Sequence, residues 1–181
     1  RLECKRCSKT QNPSFERVEG AVIRRETIEK VTEDVAACSD ETLEQEFEGF
    51  FASHSDVCQF VIDLTAESCQ EVQELVLFLT FMVHKAVVQE GGNMQPATPE
   101  TITADYRESE EWMERMSRIQ ESEIESLSFT QVGEEPHLLG LVVSEIDDAV
   151  EDGMQLDEEE KGTIFLVMKT VITSLTRRSV E

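Results

Sequence analysis

The chain reads as an all-α protein, a bundle of about six helices, and three observations lead there. Its 181 residues include only 8 Gly and 4 Pro, too few for the frequent turns of a β-protein. Its apolar residues recur at three and four positions, the period of a helix rather than a strand. Helix-start pairs such as Asp157 with Glu160 stand directly before apolar runs. At 39% hydrophobic residues the chain has enough apolar material for a real core.

Residues 1–12 form a basic N-terminal segment, and residues 13–181 a single helical domain that divides, if anywhere, at the linker 90–99. The first long helical segment spans about Pro13 to Ala37, with Pro13 suited to a first helical position. Phe15, Val18 and Val22 lie on one side of it, Ile28, Val31 and Val35 nearly opposite, so a kink or split is expected near Gly20 to Glu26.

Ser39, Asp40 and Glu41 open a short helix carrying Leu43, Phe47, Phe50 and Phe51 on one face. Another begins near Ser55 with Val57, Phe60, Val61 and Leu64. Ser68 and Glu71 have capping-box spacing, and the helix after them is apolar nearly all round, from Val72 to Val87. Such a helix belongs at the centre of the bundle or in a subunit interface.

Gly91, Gly92, Asn93, Pro96 and Pro99 mark the linker. Thr98 and Pro99 then open a helix expected to reach about Leu127, with a thin stripe of Ile102, Tyr106, Trp112, Met113, Met116 and Ile119. A helix over His137 to Asp152 groups Leu139, Val142, Ile146 and Val150. The last starts at Asp157 and is strongly apolar from Ile164 to Leu175. It and the Val72–Val87 helix are the expected twin centre. An offset of 89 residues superimposes Ser68 and Glu71 on Asp157 and Glu160, and Leu75 on Ile164, a pattern that fits a two-fold internal repeat or the shared period of two amphipathic helix pairs.

Charge is the anomaly. With 16 Lys+Arg against 39 Asp+Glu the formal net charge is −23, which disfavours direct nucleic-acid binding through the body of the domain. Between Lys30 and Lys85, and again between Arg118 and Lys161, there is no Lys or Arg, and these two tracts hold 26 of the 39 carboxylates. Within them Glu41, Glu44 and Glu48 share one helical face, as do Glu145, Asp148 and Asp152. No basic neighbour in sequence relieves either trio. They read as an electrostatic docking surface for a basic partner protein. The alternative is a solvated face that keeps the protein soluble, or one neutralised in the fold by the basic N-terminal segment.

Cys4-Lys5-Arg6-Cys7 is the sharpest local motif. Two thiolates at this spacing hold one side of a tetrahedral zinc, and the neighbouring cations favour the thiolate form. One such pair supplies only two ligands, so a zinc-binding regulatory protein, its site completed from elsewhere or between subunits, is the second reading. Cys38, Cys58 and Cys69 read as small buried hydrophobes. Asp148 to Glu159 resembles an EF-hand loop in part, but Val150 and Gln155 stand where a ligand and an apolar residue belong. A helix stop at Gly153 followed by a cap at Asp157 explains the same residues.

No G-x-S-x-G, G-x-G-x-x-G, Walker-type loop or H-E-x-x-H is present, so an enzyme without a recognisable motif is the third reading and no catalytic residue is assigned. The longest apolar run, Leu75 to Val83, is too short to span a membrane. Five Cys and no export signal in the first residues point to a reducing, cytoplasmic setting, and the apolar helices leave room for a homodimer.

Overall fold

Where the apolar period is helical the chain closes into helices. The computed structural model describes residues 23–91, 96–117 and 135–177. Among these it contains seven α-helices and no strand: α1 Arg25–Ala36, α2 Asp40–Ser53, α3 Ser55–Leu64, α4 Gln70–Gln89, α5 Pro99–Ser117, α6 Pro136–Glu151 and α7 Glu158–Thr176. They pack as a bundle. α7 lies against α3, α4, α5 and α6, and α4 also meets α1 and α3. The domain boundary at residue 12 and the N-terminal half of the first expected helix lie outside the described residues.

The helix starts differ in how they are made. Ser39 accepts the amide of Thr42 and opens α2, as the sequence predicts. Asp157 and Glu160 exchange bonds with each other's backbone in a full capping box for α7. The expected box at Ser68 is not formed. Cys69 is the N-cap of α4 and makes no side-chain cap bond, while the amide of Ser68 is spent on a turn to the carbonyl of Thr65. Pro136 stands at the first position of α6, one residue before the expected start, where its missing N–H costs nothing.

The separation of α2 from α3 that the sequence predicts falls at His54, whose backbone leaves the helical region at φ −129° and ψ 37°. Ser53 assists the break, its hydroxyl bonding back to the carbonyls of Gly49 and Phe50. Gly153 ends α6 with φ 104°. There the amides of Gly153 and Met154 return to Val150 and Ala149, the paired bonds of a Schellman motif. So the stretch with partial EF-hand spacing is a helix stop followed by a cap.

α1 has no side-chain cap of its own. Its start is held by acids from elsewhere: Glu135 accepts the buried amide of Ile23 at 2.7 Å, and Glu90 takes the hydroxyl of Thr27 and the guanidinium of Arg24. These bonds, Thr27 foremost, hold the Glu90 carboxyl below its ordinary pKa. Negative charge at a helix N-terminus is also favoured by the dipole.

α4 and α7 both contribute enclosed side chains to the core. Val76, Leu79, Phe81 and Val83 of the one and Val167, Met168, Val171 and Leu175 of the other are all fully enclosed. The hydroxyl of Thr80 donates to the carbonyl of Val76 at 2.8 Å, and its oxygen lies 3.7 Å from the sulfur of Met168. Rings tie α5 to its neighbours, Phe60 against Tyr106 and Trp112 stacked on Phe165. No described helix is long and apolar enough to cross a membrane.

Candidate functional site

On α2 the sequence places two kinds of residue in adjoining rows. Leu43 and Phe47 are four apart, as are Asp40, Glu44 and Glu48, so each set forms a line along the helix. Phe50, one turn from Phe47, is buried, and both rings meet Phe81 of α4, at 5.8 and 5.5 Å between centroids. Lys85 of α4 bonds Glu46 at 2.6 Å and lies over the Phe81 ring. These contacts fix how α2 is rotated on α4.

That rotation leaves Leu43 and Phe47 half-buried and the acidic row at the edge. Together with Phe78 of α4, the five residues Asp40, Leu43, Glu44, Phe47 and Glu48 line an open groove of about 480 Å³. Its floor is apolar and its α2 rim anionic. Glu41 is exposed beside the rim, and Phe51 continues the apolar row, 37% exposed.

Of the acidic residues singled out by sequence, the structure thus brings Glu44 and Glu48 to a concave surface with Glu41 alongside. Asp148 on α6 and Asp152 at its C-cap are exposed, but Glu145 is half-buried. Burial, with Asp148 adding to it, pushes its carboxyl above the ordinary range. No ion pair among the described residues includes any of the six. Cations of the fold pair with other acids, among them Arg24 with Glu90, Arg25 with Glu29, Lys85 with Glu46, Lys161 with Glu158 and Arg177 with Asp105.

Sequence reasoning missed Phe78 as a wall of the groove, because nothing local announces which side of a nearly all-apolar helix meets α2. It also missed a histidine pair. His54 at the α2–α3 joint and His84 on α4 stand edge to face, 4.5 Å between ring centroids, with Phe50 against both. The Nδ1 of His54 meets the Ser53 hydroxyl, whereas that of His84 is buried with no hydrogen-bond partner among the described residues. Burial pushes both imidazoles down, His84 to about 4 with His54 and Lys85 contributing.

Cys4 and Cys7 lie outside the described residues. Of the other thiols Cys58 is buried, and that burial pushes its pKa up to about 11. Cys38 is half-buried and Cys69 exposed. Among the described residues no three His, Cys, Asp or Glu side chains converge on a metal-sized space. Comparison of the chain with protein-family models, curated proteins and solved structures finds no match.

Proposed function

We propose that the protein is an acidic helical interaction module that binds a basic partner protein, with α2 as the principal docking face. One observation carries the reading. Asp40, Glu44 and Glu48 stand in line at the edge of an apolar groove and have no ion-pairing neighbour among the described residues. Like charges four apart each weaken a helix by roughly 0.2–0.5 kcal/mol, so the row is a local cost that an incoming cation would relieve. The exposed acids Asp148 and Asp152, on α6 and at its C-cap, add to the field that draws such a partner in.

The test is binding of the full chain to a lysine-rich peptide over a series of salt concentrations. Affinity should fall roughly tenfold or more between about 30 and 300 mM salt, as screening shortens the reach of exposed charge. Replacing Glu41, Glu44 and Glu48 together by Gln should remove most of that dependence. Binding that ignores salt, or ignores the triple replacement, would overturn the proposal.

A further inference from the structure

We infer that the groove beside α2 receives a cationic amphipathic helix of the partner protein, a commitment that rests on the interaction reading above and narrows it to one shape of ligand. The geometry points there in three steps. Asp40, Glu44 and Glu48 form one ridge at four-residue spacing and Leu43 and Phe47 the next. Furrows between such ridges accept the ridge of another helix. With about 1.5 Å of rise per residue the acidic ridge is about 12 Å long, which matches two turns of an incoming helix.

The chemistry of the two ridges differs, and the difference specifies the ligand. The floor, Leu43, Phe47 and Phe78, is half-buried and gains from apolar side chains recurring at three and four positions. The rim is solvated carboxylate and gains from Lys or Arg on the strip flanking that apolar face. An added β-strand would need a sheet edge, and the described residues contain no strand. A second copy docking through the same face would bring one acidic ridge against another, since such an interface uses the same patch twice. Charge complementarity thus favours a foreign basic helix.

The experiment uses the full chain and two synthetic peptides of identical composition, rich in Leu and Lys. One places Leu on a single helical face flanked by Lys, and the other scrambles the order so that no face forms. The amphipathic peptide should bind at least about tenfold more tightly than its scramble, a gap of about 1.4 kcal/mol. Glu44→Lys with Glu48→Lys should weaken it by tenfold or more, and Leu43→Ala severalfold. A photoreactive group on the peptide's apolar face should label α2 or the Phe78 turn of α4, which gives an answer even where Leu43→Ala fails to fold.

The outcomes separate the two levels of the argument. Equal binding of both peptides, still abolished by the rim reversals, overturns the groove and leaves the electrostatic reading standing. Binding of neither peptide removes both. Tight binding of the amphipathic peptide that labels elsewhere, or is indifferent to Leu43→Ala in a folded protein, also overturns the groove. So does a dimer in sedimentation that Leu43→Ala dissolves while peptide binding is absent, because the face then belongs to a second copy.

Discussion

The carboxylate of Asp105, 1% exposed within the α5–α7 contact, accepts the hydroxyl of Ser174 at 2.7 Å and pairs through its other oxygen with Arg177. An acid so enclosed persists because both oxygens are satisfied. The pair joins the middle of α5 to the last turn of α7.

Arg177→Gln removes the cation and leaves the buried carboxylate with its neutral partner alone. Breaking one side of a buried pair costs about 3–5 kcal/mol, and the solvent access of Arg177 places this case at the lower end. Asp105→Asn should cost less, about 1–3 kcal/mol, since an amide can still accept from Ser174. Urea unfolding of both variants checks the order, which a purely surface role for Arg177 would erase.

The histidine pair makes stability depend on pH in a definite direction. Both imidazoles titrate lower in the folded chain than in the unfolded one, near 6.5. The stability they contribute is therefore complete above about pH 6.5 and is lost as the pH falls toward about 4. Thermal midpoints of the wild type should drop over that window more steeply than those of His84→Phe. The difference should approach one proton, since the carboxylate background is common to both. Parallel curves would mean that His84 is not buried as described.

At the start of α7 the capping box predicts a modest, local effect. Asp157→Ala should cost about 1 kcal/mol, within the usual range for a lost N-cap. Glu160→Ala should cost less, since it removes only the return bond. Denaturant midpoints should fall with unchanged slopes.

Glu44 has two like-charged neighbours in its row, so exchanging its sign should help the fold and harm docking together. Glu44→Lys turns repulsions with Asp40 and Glu48 into attractions and should raise stability by up to about 1 kcal/mol at low salt. Loss of peptide affinity in the same protein would mark the row as retained for recognition. Destabilisation would show that Glu44 has a structural role.

The helices were legible because their causes are local. Ser39, Asp157 and Gly153 sit where a cap or a left-handed residue is needed, and the period of Ile28, Val31 and Val35 names the buried side of α1. Ser68 misled because a Ser three before a Glu also suits a turn, and here Thr65 claims its amide. The candidate site was half legible. Glu41, Glu44 and Glu48 announce themselves as a face, but the apolar floor exists only once Phe78 arrives from α4. Asp105, His54 and His84 were unreadable for the same reason, their surroundings being supplied by Arg177, Ser174, Phe50 and each other across the bundle.

The Thr80–Met168 contact between α4 and α7 carries a consequence for ageing of the protein. The thioether of Met168 has no exposure at all, so peroxide reaches it only during moments when α4 and α7 part. Its sulfoxide, once made, is polar and blocks re-closure. The yield of that one adduct relative to the half-exposed Met113 and Met116 is then a chemical clock for breathing of the interior.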